Sequence, residues 1–166
     1  METQPIPEID VLIGIALWLH SDGWQIKQIS MAGGQKIDQI AHRQKLESNF
    51  LNAGIALDTI RFSREGPDIE AIKETKIWRI ECKGLGEVRL QTLKNNFDRA
   101  VASVVSYYDQ QEGLQLQLGI AFPEAYEKLA RNKLPQSLRE VIDLWLFLYV
   151  AIDEIYKFAP NEDLPL

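Results

Sequence analysis

Cysteine is nearly missing from this chain: Cys82 stands alone among 166 residues. One thiol closes no internal disulfide and builds no cysteine-rich zinc site, and a chain of this size without bridges suits a reducing compartment, so a cytoplasmic protein is expected. Histidine is almost as scarce, and His20 and His42 are too separated to suggest a zinc pair. Long hydrophobic runs are absent. The longest strongly apolar stretch, Leu144 to Ile152, is far shorter than the roughly 18 to 20 residues that cross a bilayer, so no membrane span is expected. Residues 1–10 hold Glu2, Glu8 and Asp10 but no Lys or Arg, the wrong sign for a secretory leader, and export is not expected.

Positive charge is also in short supply, with 18 Lys and Arg against 24 Asp and Glu and a net charge of -6. That balance opposes any nucleic-acid function, because neutralised phosphates supply most non-specific affinity. The distribution softens it. Residues 24–100 carry 13 cations against 10 acids, whereas residues 101–166 carry 5 against 10. Electrostatics therefore permits a DNA-binding face in the first part of the chain without demanding one.

What is present is an ordinary globular composition, 46% hydrophobic and 25% charged, in a length that fits one domain spanning residues 1–166. Apolar residues at three- and four-residue steps predict a helix over Ile6 to His20, ended by Asp22-Gly23, and alternation predicts a strand from Trp24 to Ser30. After the break at Ala32-Gly33-Gly34, residues 36–53 have helical spacing at Ile40, Leu46, Phe50 and Leu51 and read as an inserted helix. Ile55 to Phe62 reads as extended, Glu65-Gly66 as a turn, and Asp68 to Lys73 and Thr75 to Lys83 as two further strands. Leu90 to Tyr108 is the best amphipathic helix, with Leu93, Phe97, Ala100, Val101, Val104, Val105 and Tyr108 on one face. A strand over Leu114 to Phe122, helices over Glu124 to Arg131 and Ser137 to Ile142, and a final strand and hairpin complete the order. An α/β domain with a mixed sheet flanked by helices satisfies it.

The chemistry is concentrated between Gly66 and Gly84. In a strand, residues two apart share a face, so Glu81 and Lys83 project together while Ile80 and Cys82 turn the other way. Asp68 lies about a dozen residues earlier, with Glu74-Thr75 as a turn between them, so a hairpin brings both carboxylates to one end of the sheet. Two adjacent carboxylates call for a neutralising partner, most simply a divalent cation, and hard oxygen ligands suit Mg²⁺ or Mn²⁺. Lys83 on the same face would orient or deprotonate an attacking water.

Pro67-Asp68 followed by Glu81-Cys82-Lys83 and Gly84 resembles the PD-(D/E)xK nuclease superfamily, over roughly the first two thirds of the chain by element order. The resemblance implies a restriction-endonuclease-like core, a mixed sheet with a helix on each face, and Mg²⁺-dependent hydrolysis of phosphodiester bonds in DNA. It assigns Asp68 and Glu81 as metal ligands, with the main-chain carbonyl of Cys82 completing the set, and Lys83 as the catalytic lysine. Members often add a glutamate from the first helix, here Glu8. Many also carry a glutamine on the helix after the motif; Gln91 comes early for that role and Ser103 is a different residue. Cleavage of both DNA strands by a one-site domain requires a second copy, so a homodimer is an open expectation.

Blander readings stand beside each assignment. Glu81 and Lys83 are also what a solvated edge strand would carry, as a surface ion pair worth about 0 to 1 kcal/mol. Glu70 shares the face of Asp68, as an accessory acid or an exposed one. Cys82, turned towards the core, reads as a small buried hydrophobe. Lys36, Arg43 and Lys45 on the inserted helix, with His42, line a DNA phosphate track or simply face solvent. Trp78, Trp145 and Tyr149 default to core. The whole chain also admits a second reading, a catalytically inactive nuclease-like module that binds nucleic acid or a protein partner.

Overall fold

A computed structural model describes residues 4–31, 36–86, 89–109 and 113–165. The element order is α1 (Glu8–Ser21), β1 (Gln25–Ser30), α2 (Lys36–Asn52), a 3-10 turn at Leu57–Thr59 and β2 (Arg61–Ser63). There follow β3 (Ile69–Lys73), β4 (Lys76–Cys82), α3 (Leu90–Ser106), β5 (Gln115–Pro123), α4 (Glu127–Lys133), α5 (Gln136–Ile142), β6 (Leu144–Ala151) and β7 (Glu154–Phe158). The break expected at Ala32-Gly33-Gly34 lies outside the described residues.

The strands form one seven-stranded sheet in the order β2-β1-β3-β4-β5-β6-β7. It is mixed: β3 is antiparallel to β1 and β4, β5 is parallel to β4 and β6, and β7 returns antiparallel as the expected closing hairpin. Glu74 and Thr75 make the turn between β3 and β4, in register at Lys73 and Lys76, and Glu74 takes a left-handed conformation with φ 55. A side chain rarely adopts that conformation, so the flanking ladder imposes it.

Two cores lie on opposite faces. On one, α1 and α2 cover Ile69, Ala71, Trp78, Ile80 and Cys82. On the other, α3 and α4 cover Leu118, Ile120, Phe122, Leu144 and Leu146. The stripe of α3 that packs is Leu93, Phe97, Ala100 and Val104; Val105 and Tyr108, expected on that stripe, are exposed. The helix ends at Ser106, so Tyr108 leaves the helical repeat and Tyr107 turns inward instead, while Val105 is exposed though still helical. On α2 only Leu46 and Phe50 are buried, while Ile40 and Leu51 face outwards, because one flank of this helix meets α1 and, among the described residues, the other meets no element of comparable size. Ile55 to Phe62, read as extended, is broken by the 3-10 turn and yields only the short β2, parallel to β1.

A register shift between Ile26 and Gln28 marks a bulge in β1. The extra residue lets Ile26 and Ile29 both enter the α1 core, and it turns Gln28 and Ser30 to the opposite face. There Gln28 donates to Ser30 Oγ at 3.1 Å and Glu65 O at 3.2 Å, and accepts from Arg61 Nε at 3.0 Å. This network fixes the 63–67 segment, and with it the approach to Asp68.

Candidate active site

Asp68 stands just before β3. The β3–β4 register pairs Ile69 with Ile80, so one further step sets Asp68 opposite Glu81. Opposed residues of an antiparallel pair share a face, and like charges in that position repel. The next pair on the same face is Glu70 with Arg79, a complementary one, joined at 3.0 Å. Glu70 is therefore tied into an ion pair, whereas Asp68 and Glu81 have no such relief from each other. Both are buried, at 9% and 6% exposure.

Backbone contacts hold Asp68 from two sides. Its carbonyl accepts from the Ser30 N–H at 3.0 Å, and its carboxylate Oδ2 accepts from the Cys82 N–H at 2.7 Å. An extended residue directs its N–H and C=O to the same edge, so the Cys82 carbonyl is turned towards β3 as well. The thiol of Cys82 points into the α1 core, fully buried, and burial pushes its pKa well up. It is a packing residue, as the alternation predicts.

Glu81 has two partners. Oε1 lies 3.0 Å from Lys83 Nζ, and Oε2 accepts from the Tyr107 hydroxyl at 2.5 Å. Lys83 also reaches Glu8 Oε2, at 3.7 Å, so it stands between the first helix and the end of β4. Glu8 is brought here by a close chain crossing. Ile6 and Leu85 form a two-way backbone bridge at 2.7 Å, and a Cβ on Gly84 would meet Glu8 N at 2.4 Å and Ile6 O at 2.6 Å. Only glycine lets the segment before α1 lie across the end of β4. The nearby Gly84 backbone N–H favours the ionised form of Glu8.

The electrostatics follow from this crowding. Burial and then the Glu81 charge raise the pKa of Asp68 well above the usual carboxylate range, outweighing the Cys82 N–H. Glu8 is also raised, by burial in part and by Glu81, against the pull of Lys83. Burial works against the charge of Lys83, but Glu8 and Glu81 outweigh it and hold the ammonium above its ordinary value. Tyr107 is raised by burial and by its bond to Glu81. The cluster thus carries more buried carboxylate than one lysine balances, and the excess pushes the Asp68 pKa upward.

A divalent cation would balance that excess. The fit is to two carboxylates, Asp68 and Glu81, beside the Cys82 carbonyl; among the described residues no three His, Cys, Asp or Glu side chains are gathered into a cage. Mg²⁺ needs no cage, since it keeps several waters and binds through one or two carboxylates plus substrate phosphate.

Lys36, Arg43 and Lys45 are separated from this cluster. Lys45 is bonded to Asp10 of α1 and ties the two helices together. Arg43 pairs with Glu47 at 2.6 Å and lies over the Phe62 ring, 3.3 Å from its centroid. Lys36 and Arg43 line a cavity of about 740 Å³ between α2 and β2. That cavity shares Phe62 and Ser63 with a second, of about 500 Å³, lined also by Pro67, Glu70, Arg79 and Tyr107 but not by Asp68 or Glu81 themselves. Gln91 is spent on Asn95, 2.9 Å away along its own helix, and takes no part in the cluster. Tyr107, which does, has no signal in the sequence beyond being an aromatic residue at the end of an amphipathic helix.

Compared with known proteins, the chain matches no family model, no curated protein and no solved structure.

Proposed function

We propose that this chain is a Mg²⁺- or Mn²⁺-dependent phosphodiesterase acting on DNA, with a site of the PD-(D/E)xK type on a restriction-endonuclease-like core. The observation that carries the reading is the buried opposition of Asp68 and Glu81 with Lys83 beside them, a charge arrangement that folding alone does not favour. The order α1, β1, β3, β4, α3, β5 supports the core, since it sets a helix on each face of a mixed sheet and puts the motif strand between them.

The metal, held by Asp68, Glu81 and the Cys82 carbonyl, would supply Lewis acidity at a phosphoryl oxygen and acidify a water. The chain's own groups do the rest. Backbone contacts at both ends of Asp68 fix its carboxylate before any ligand arrives, which lowers the reorganisation needed. Tyr107 holds the second oxygen of Glu81 in place. Of the two roles open to Lys83, its raised pKa supports orienting the water and stabilising phosphate charge as an ammonium over accepting a proton.

One observation favours the rival reading, a binding module without catalysis. Both oxygens of Glu81 already have partners, so a metal must share them. Cleavage of duplex, branched and single-stranded DNA in Mg²⁺ and Mn²⁺, by the wild type and by alanine variants of Asp68, Glu81 and Lys83, separates the two. Loss of either carboxylate is expected to abolish cleavage, and Lys83→Ala to reduce it by about two to four orders of magnitude with the fold intact. Metal-independent cleavage, or full activity in the Lys83 variant, contradicts the enzyme reading; no cleavage of any substrate favours the module.

A further inference from the structure

The cavity between α2 and β2 is unlike the rest of this acidic chain. Its charged lining is Lys36, Arg43 and Arg64, with no Asp or Glu among the lining residues. Arg43 shares its charge with Glu47, but Lys36 and Arg64 have no carboxylate partner among the described residues. The neighbouring cavity has the opposite balance, with Arg61 and Arg79 against Glu65, Glu70 and Asp109. An anion is thus attracted to the first cavity and gains nothing in the second without a cation to receive it.

Shape narrows the ligand. A cavity of about 740 Å³ is of small-ligand size and admits about one or two nucleotides of a flexible strand. The guanidinium of Arg43 stacked on Phe62 offers a flat, charged face of the kind on which unpaired bases stack. The side-chain amides of Gln39 and Gln44 sit among the lining residues. Phe62 and Ser63 of the edge strand β2 border both cavities.

We infer that the α2–β2 cavity binds a single-stranded nucleic-acid segment, its phosphates on Lys36 and Arg64 and a base against the Arg43–Phe62 stack. The inference rests on the nucleic-acid part of the proposed function and is independent of the metal.

The test is fluorescence anisotropy on the full chain in EDTA, with a labelled oligothymidylate of about 12 nucleotides, a blunt duplex of equal length, and ATP and inorganic phosphate as competitors. The single strand binds more tightly than the duplex. In the double variant Lys36→Gln/Arg64→Gln, both positions being exposed, the slope of log affinity against log salt falls by about 0.7 per cation removed, or roughly 25-fold weaker binding near 0.1 M salt. The melting curve and the calorimetric Mg²⁺ titration of that variant match the wild type. Equal or tighter duplex binding, an unchanged salt slope, or displacement of the oligonucleotide by ATP at equal concentration overturns it. Cleavage without this pattern leaves the nuclease reading standing alone, and this pattern without cleavage leaves strand binding standing without it.

Discussion

The Tyr107 hydroxyl donates to Glu81 Oε2 at 2.5 Å, across 26 residues of sequence, and so ties the end of α3 to the strand end where Asp68 and Lys83 stand. Arg79 reinforces the tie by donating to the Tyr107 carbonyl at 2.8 Å while pairing with Glu70. One residue thus steadies the candidate metal ligand and also competes for it.

Replacing Tyr107 by Phe separates those effects. A hydrogen bond to a charged group is worth about 1.5 to 3 kcal/mol, so Tyr107→Phe is expected to lower the melting temperature of the metal-free protein by several degrees. With Oε2 released, Mn²⁺ affinity measured by calorimetry rises. Weaker metal binding in this variant would show that Tyr107 orients Glu81 more than it competes.

Gly84 tests how Glu8 is brought to the cluster. The Cβ of Gly84→Ala would meet backbone atoms of Glu8 and Ile6, which cannot rotate away, so the 6–8 segment must shift. Overpacking of this kind costs about 1 to 3 kcal/mol, and a lower melting temperature is expected. The Glu8 contact with Lys83 should weaken with it, so Gly84→Ala combined with Glu8→Gln would destabilise less than the sum of the two. Full additivity by thermal denaturation would mean that Gly84 does not position Glu8.

Asp68 gives the metal-free chain a defined pH signature. The folded-state pKa of Asp68 lies above its ordinary value, so the folded chain binds this proton more tightly than the unfolded chain does. That stability is fully present below the ordinary carboxylate range and is lost as pH rises through the raised folded value. In EDTA, the wild type is expected to lose melting temperature relative to Asp68→Asn over that interval, and the difference should shrink when Mg²⁺ is added. A wild type that gains on Asp68→Asn with rising pH would reverse the assigned sign.

How much of this was legible in the sequence depends on the range of each interaction. Strand alternation and the Glu74-Thr75 turn are local, and they predict the shared face of Asp68, Glu81 and Lys83. The closing hairpin and the limits of α2 are local as well. Tyr107 is not, because only the packing of α3 on the sheet brings it to Glu81. Nor is the bond of Lys45 to Asp10, which draws a cation expected to face DNA into a contact between helices. The 3-10 turn within Ile55 to Phe62 was hidden by an apolar spacing that suits an extended segment equally well.

The most direct test of the central claim is calorimetric titration of Mg²⁺ and Mn²⁺ into the wild type and into Asp68→Ala. Saturable binding to the wild type is expected, tighter at higher pH because protons compete for the raised Asp68 carboxylate, with loss of that binding in Asp68→Ala. A wild type that binds neither ion, or an Asp68→Ala variant that binds them equally well, would contradict it.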